Sequence, residues 1–385
     1  MTSVKAADKA PLNVPGTLII GGGVIGLAIG WRLLQRGEPV TLLERGETGR
    51  EASHAAAGML AIANEVHFQE DLNLLLRLES MRLYPEFVSE LEGFTGQAVD
   101  YRTDGAIAIS LHADETAELR NLYEYQLERK LPVRWLRGEE VRELEPSLAG
   151  FVVGGVLCPM DHQVDNRRLV AALRTAFVKA GGQLREHCAV TRVNLGESGP
   201  PTVETGEQTW NAQRVVLAAG SWSGLVPGLE SWLRPLVRPV KGQMLALRMP
   251  APDFLVRMIK TPDVYMAPKS DGRLVIGATV EEMGFNRDLT AGAMYELLKG
   301  AWRAVPSVYE LPIDEMWCGF RPGSRDNAPI LGETEVPGFY VATGHYRNGI
   351  VNTPVTAKYL AGLILDGAQP ELLRRLSPRR FTKPE

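Results

Sequence analysis

Gly21, Gly23 and Gly26, in the run Thr17-Leu18-Ile19-Ile20-Gly21-Gly22-Gly23-Val24-Ile25-Gly26, are spaced to do one piece of chemistry, the cradling of a diphosphate. In a GxGxxG turn the first glycine permits a tight bend, and the second lets the backbone approach a pyrophosphate. The third lets helix and strand pack closely. The first turn of the helix that follows, from Val24 and Ile25, would face the phosphates with its free N–H groups. A second apolar run, Val40-Thr41-Leu42-Leu43, ends on Glu44 and Arg45. An acid at the end of the second strand can accept hydrogen bonds from a ribose 2′-hydroxyl, which favours FAD or NAD over NADP. Strand, glycines, helix, strand and acid follow in the order that a dinucleotide site requires.

Three further segments narrow the choice of dinucleotide. Glu51-Ala52-Ser53-His54-Ala55-Ala56-Ala57-Gly58-Met59 is too poor in bulk to build a core, and small side chains let backbone come close to a flat ring. Arg214 to Leu217 is a buried-strand run that ends in Ala218-Ala219-Gly220-Ser221-Trp222. Cys188-Ala189-Val190-Thr191-Arg192-Val193 reads as a strand between them.

These segments resemble the D-amino-acid oxidase family of flavoproteins. Ser53, Ala56, Ala57 and Gly58 match its Ser-x-x-Ala-Ala-Gly segment along the flavin, Val190 matches the position whose backbone meets adenine, and Ala219, Gly220 and Trp222 match the strand returning to the cofactor. Near the C-terminus, Trp317-Cys318-Gly319-Phe320-Arg321-Pro322-Gly323-Ser324 and Gly344-His345-Tyr346-Arg347-Asn348-Gly349-Ile350 look like glycine oxidases of the thiamine-biosynthesis type. The resemblance runs from about residue 17 to 366, nearly the whole chain.

The resemblance implies noncovalent FAD and an amino-acid substrate whose carboxylate is held by Arg321 and Tyr265, with Arg347 as another active-site arginine. A guanidinium suits that task because it binds both carboxylate oxygens at once and stays charged. The implied reaction is oxidation of glycine by hydride transfer to flavin N5. It yields glyoxylate, ammonia and, with molecular oxygen as acceptor, hydrogen peroxide, and it supplies an imine for thiazole synthesis. Hydride transfer needs a neutral amine and demands no enzymic base. The protein would supply orientation, desolvation and stabilisation of the reduced cofactor.

Departures from the family pattern keep other substrates open. Asp263 stands where some glycine oxidases have histidine, and Val280 stands where methionine can occur. An oxidase of an N-substituted glycine, releasing glyoxylate and a larger amine, and a D-amino-acid dehydrogenase are the alternatives. Cys318 lies near, but offset from, the cysteine that binds flavin covalently in sarcosine oxidases.

Positioning these residues requires a large fold. At 385 residues the chain has room for two or three folding units. A hydrophobic fraction of 45% with 23% charged residues is ordinary for a soluble protein. The net charge of −4 offers no footprint for nucleic acid. Cys158, Cys188 and Cys318 form no CxxC pair, which argues for a reducing compartment. The six histidines, His54, His67, His112, His162, His187 and His345, have no metal-ligand spacing, so no metal site is expected. The start of the chain, Met1 to Lys9, is polar, and the apolar tract from Thr17 to Trp31 is glycine-broken and stopped by Arg32. A cytoplasmic protein with no membrane partner follows, and the family suggests a homo-oligomer.

Apolar periodicity predicts helices over Glu70 to Glu92, with Leu72, Leu75, Leu76, Leu83 and Phe87 on one side, and over His112 to Lys130, with Leu119, Leu122 and Leu127 inward. Val99 to Ser110 reads as a hairpin turning at Asp104-Gly105. Gly242 to Thr279 is β-rich, with a hairpin through Ser270-Asp271-Gly272. Asp165-Asn166 caps a helix to Ala180 that Gly181-Gly182 ends, strands from Leu184 and Gln213 follow, and Thr353-Pro354 starts another helix.

The expected fold is α/β: a Rossmann-like FAD-binding domain (14–78, 145–225 and 318–370) interrupted by a β-rich α+β substrate-binding domain (79–144 and 226–317). Flexible termini are expected at 1–13 and 371–385.

Overall fold

The computed structural model of the protein describes residues 10–66, 71–196, 200–229, 233 and 236–381. His67, Glu70 and the polar start Met1 to Lys9 lie outside the described residues.

Two eight-stranded sheets organise the chain. The first runs in the order Ile330–Glu333, Phe339–Thr343, Thr209–Leu217, Leu12–Ile20, Val40–Leu43, Gln183–Arg185, with Thr202–Thr205 and Val190–Asn194 off this path. Leu12–Ile20 pairs in parallel with both Thr209–Leu217 and Val40–Leu43. Such central strands are covered on both faces and read as continuous apolar runs, which is why Leu18, Ile19, Val215, Val216 and Leu217 are all buried. Helix Val24–Gln35 covers one face, together with helices Asn166–Lys179 and Thr353–Asp366.

The second sheet is mixed and follows the order Ile313–Ser324, Val237–Arg248, Arg273–Gly277, Tyr265–Pro268, Met258–Lys260, Ala106–Ser110, Gly154–Cys158, Arg134–Arg137. Its longest contact pairs Ile313–Ser324 antiparallel with Val237–Arg248, setting Val240 opposite Arg321 and Gly242 opposite Gly319. The turn Ser270-Asp271-Gly272 joins two antiparallel strands as expected, with Gly272 at φ 88°.

The expected elements stand with specific corrections. The helix expected from Glu70 spans Asp71–Thr95, and the next spans Ala113–Glu128. Leu76, Phe87 and Leu119 are buried, whereas Leu75 and Leu127 face outward at 46% and 45% exposure. Asp165 caps helix Asn166–Lys179 by accepting from the N–H groups of Arg167 and Arg168. The last long helix begins at Thr353 with Asn352 as its cap.

The hairpin expected over Val99 to Ser110 does not form. Only Ala106–Ser110 is a strand, and it pairs with Gly154–Cys158 and Met258–Lys260. Arg102 instead bridges Gln163, and its guanidinium donates to the carbonyls of Pro268 and Val256, so tertiary partners take this segment from the local turn.

Gly154–Cys158 lies in the second sheet, although 145–225 reads as cofactor domain, because Gly154 and Gly155 let Trp135 and Ile107 close over them. Strand Ile313–Ser324 likewise runs across the expected boundary at 318. Described parts of the termini expected to be flexible take regular structure. Leu12 and Asn13 belong to the first strand, and helix Glu371–Arg375 buries Leu373, with Leu376 buried just beyond it. No described helix is long and apolar enough to cross a membrane.

Candidate active site

One cavity of about 750 Å³ lies between the two sheets. It is lined by almost every residue singled out from the sequence: Gly21, Gly23, Val24, Ile25, Glu44, Arg45, Ser53, Ala56, Ala57, Gly58, Met59, Val190, Ala219, Gly220, Trp222, Tyr265, Arg321, His345, Arg347, Asn348, Gly349 and Ile350. Gly26 and Gly344 shape its walls without lining it. A Cβ on Gly26 would sit 2.0 Å from the carbonyl oxygen of Gly21, and Gly344 turns the chain at φ 72°.

At the first sheet's end of the cavity the residues fit a dinucleotide. Gly21 has φ 112°, and a Cβ there would meet the Ala218 carbonyl oxygen at 2.5 Å. The turn is therefore closed to any residue but glycine. Glu44 is held in place by its neighbours' backbone: Gly22 N–H donates to Oε2 at 2.8 Å and Gly46 N–H to Oε1 at 3.0 Å. A carboxylate has lone pairs beyond these two bonds to offer a diol. Val190 opens strand Val190–Asn194 beside this end, and the Arg45 guanidinium lies over the Trp222 ring at 4.0 Å.

The run of small residues is fixed from both sides. Asn166 Nδ2 donates to the carbonyls of Ser53 and His54, Trp317 Nε1 donates to that of Ala55, and Ser53 Oγ accepts from Val24 N–H. A Cβ on Gly319 would come within 2.3 Å of Ala55 Cβ. Gly58 has φ 74° and faces the Val164 carbonyl. A flat ring system laid against Ala56, Ala57 and Gly58 meets little but backbone and methyl groups.

The second sheet supplies the other wall. Arg321 projects from strand Ile313–Ser324 and lies over Gly242 on the adjacent strand; Nη1 donates to the Thr279 carbonyl at 3.0 Å. Tyr265 stands opposite Gly277 in the register, and a Cβ on Gly277 would sit 2.3 Å from its hydroxyl oxygen. The two glycines are thus what let an arginine and a tyrosine lie flat across neighbouring strands. Burial pushes the Tyr265 phenol up to about 12, with Arg321 opposing and Glu65 reinforcing the shift. Its hydroxyl is a proton donor at neutral pH.

His345 is buried, and its Nε2 lies 3.1 Å from Thr356 Oγ1. Burial holds the imidazole down to about 3, so it is neutral. Arg347 extends towards Glu65, 3.7 Å from Oε2. The loop runs into the N-terminus of helix Thr353–Asp366, whose first turn contains no acid and so offers an uncancelled positive dipole end. Asp263 and Val280 also line the cavity. Cys318 is half-buried, with Sγ donating to the Arg287 carbonyl at 3.3 Å. Among the described residues no group of His, Cys, Asp and Glu could hold a metal ion.

Sequence reasoning missed Glu65 and Lys260, which line the cavity and form an ion pair at 3.3 Å, and missed Gly242 and Gly277 beneath Arg321 and Tyr265. One signal pointed to Glu65. It is the single charged residue in the run from Ala55 to Val66.

Fold and cavity together define an FAD-dependent oxidoreductase, with the glycine-turn sheet on one side of the cavity and the mixed sheet on the other. Residues 17–363 match the family described as FAD dependent oxidoreductase, DAO, and the chain belongs to it.

Among curated relatives, a bifunctional protein ThiO/ThiG from Synechocystis sp. is 39% identical over 94% of this chain. The chain spans 54% of that relative's length. A glycine oxidase from Geobacillus kaustophilus is 37% identical, covering 90% of this chain and 92% of its own. The crystal structure of glycine oxidase from Geobacillus kaustophilus superimposes with a TM-score of 0.90 at 35% identity, covering 96% of this chain and all of the other.

Proposed function

We propose that this chain is an amino-acid oxidase that converts glycine, water and dioxygen to glyoxylate, ammonia and hydrogen peroxide. Its imine product would be supplied to thiazole synthesis in the thiamine pathway. The observation that carries this reading is that Arg321 and Tyr265 line one cavity together with the small-residue run Ala56-Ala57-Gly58. Bound FAD supplies the two-electron oxidant, and dioxygen regenerates it with release of hydrogen peroxide.

The residues divide the work. Gly21, Gly23 and Glu44 hold the dinucleotide end, and Ser53 to Met59 back the ring. Arg321 takes both carboxylate oxygens of the substrate, and the protonated Tyr265 hydroxyl adds a third hydrogen bond, so that Cα is presented to the ring in one orientation. Neutral His345 adds no charge beside the ring, and the N-terminus of helix Thr353–Asp366 favours negative charge accumulating there. The backbone of Val190 would meet the adenine, and the cofactor would be held noncovalently, since Cys318 is engaged with the Arg287 carbonyl and does not line the cavity.

A second reading, oxidation of an N-substituted glycine, is favoured by the open side of the cavity, where Val280 is 55% exposed and Asp263 turns away to Arg303. We place the enzyme in the cytoplasm as a homo-oligomer. Anaerobic mixing with glycine, sarcosine, D-alanine and N-alkyl glycines, followed by flavin bleaching and then by peroxide yield in air, tests the proposal. Fastest bleaching by glycine with stoichiometric peroxide is expected. Bleaching without peroxide would point to a dehydrogenase.

A further inference from the structure

Residues 280–290 lie between strand Arg273–Gly277 of the second sheet and helix Ala291–Ala304. Apart from Glu281 and Phe285 they are exposed, so burial does little to shape the segment. It is tied to its own sheet at several points. Lys241 bridges Glu281 through the backbone, and its Nζ donates to the Asp288 carbonyl at 2.6 Å. Cys318 Sγ donates to the Arg287 carbonyl, and Gln243 Oε1 accepts from Thr290 N–H at 2.8 Å.

Two side chains of this segment reach residues that follow strands of the first sheet. The Phe285 ring packs against Trp222, with centroids 5.0 Å apart, and edge-on to Phe320 at 5.3 Å. Arg287 Nη2 lies 2.8 Å from both carboxylate oxygens of Glu51. Glu51 also accepts from Arg45 Nη2 at 2.6 Å, and the Arg45 guanidinium lies over the Trp222 ring at 4.0 Å. These contacts form one chain from Phe285 through Trp222, Arg45 and Glu51 to Arg287, which returns to the same segment. Trp222, Arg45 and Glu51 line the cavity, whereas Phe285 and Arg287 bear on it from outside, through them. Arg45 follows Glu44 in the chain, which puts the closed chain of contacts at the dinucleotide end.

We propose that Phe285 and Arg287 are positioning residues of the cofactor site, which hold Trp222, Arg45 and Glu51 in place around the dinucleotide and slow its release. The two contribute unequally. The Arg287 and Glu51 side chains are 56% and 31% exposed, and such an ion pair contributes little by itself and is screened by salt. Removing the Phe285 ring forfeits two aromatic contacts that salt does not weaken. The inference rests on the reading that the glycine turn and Glu44 hold the dinucleotide.

The test follows FAD release from the full-length holoenzyme, after large dilution, by the return of flavin fluorescence at low salt and at about 1 M salt. Phe285→Ala should speed release at least about fivefold at both. Arg287→Ala should speed it about threefold at low salt, and the difference from wild type should vanish at high salt. Met283→Ala, at a side chain 58% exposed in the same segment, should release FAD as wild type does. Wild-type release from Phe285→Ala, wild-type release from Arg287→Ala at low salt, or equal acceleration in Met283→Ala overturns the proposal. Glu44→Ala separates the two ways of failing. If it speeds release while Phe285→Ala does not, the dinucleotide reading stands and only this inference falls; if Glu44→Ala leaves release unchanged, both fall together.

Discussion

The Arg321 guanidinium lies over Gly242, with Nη1 only 2.4 Å and Nη2 2.6 Å from the place a Cβ on Gly242 would occupy. Val240 is the direct partner of Arg321 in the register, so the arginine reaches two residues along the neighbouring strand to rest on the glycine. The absence of a methyl group on one strand therefore sets the position of a charge on the next.

Gly242→Ala should displace that guanidinium while leaving the dinucleotide end untouched. Since a shift on the order of 1 Å can cost about a hundredfold when it misplaces a positioning group, kcat/KM for glycine should fall at least about tenfold. The visible spectrum of bound FAD should not change. Steady-state kinetics beside a flavin spectrum checks this, and wild-type kinetics would mean that Arg321 does not act from its place over Gly242.

Glu44→Ala should weaken FAD binding without unfolding the chain. The carboxylate bonds the N–H groups of Gly22 and Gly46 as well as the expected ribose, so its loss loosens the glycine turn and removes a charged acceptor. A hydrogen bond to a charged group contributes about 1.5 to 3 kcal/mol, or roughly ten- to a hundredfold in affinity. Fluorescence titration of the apoprotein with FAD measures it.

His345 should make the protein acid-sensitive. Its folded value of about 3 lies below the ordinary one near 6.5, so between these two values the unfolded chain binds the extra proton. The stabilisation is complete above about pH 6.5 and is lost as pH falls towards 3, at about 1.4 kcal/mol per pH unit. Relative to His345→Gln, wild type should lose about 2 kcal/mol on going from pH 7 to pH 5. Thermal unfolding of both proteins across that range reads the difference, and parallel pH profiles would show that His345 is not held neutral.

How much of this was legible in the sequence depended on whether the signal was local. Strand, glycine turn, helix and acid from Thr17 to Glu44 lie close together in the chain and declare themselves by spacing. Arg321 and Tyr265 were found through resemblance, since neither differs locally from an ordinary strand residue. Gly242 and Gly277 were missed because their importance comes from strands that meet only in the folded sheet. The hairpin expected at Asp104-Gly105 failed for the converse reason. Its turn signal is real, but Arg102 gains carbonyl partners at Pro268 and Val256 that no local reading contains. Leu75 and Leu127 fit a helical period and still face outward, because a period identifies a face and not what covers it.

Arg321→Lys is the substitution that tests the proposed chemistry most directly. Lysine keeps the positive charge and loses the planar fork, so it can meet one carboxylate oxygen at a time. Removing one partner from a desolvated charge pair costs about 2 to 5 kcal/mol, which sets the expected fall in kcat/KM at about thirtyfold or more. Bound FAD should be retained, since Arg321 lies on the second sheet and its Nη1 bonds are to Lys241 and Thr279 carbonyls. If Arg321 only binds the substrate, the loss should appear as a higher glycine concentration for half-maximal flavin reduction, with the limiting rate unchanged. If it also aligns Cα with the ring, the limiting rate should fall as well. Rapid-reaction measurement of flavin reduction against glycine concentration separates the two, and wild-type values for both would remove Arg321 as the carboxylate anchor.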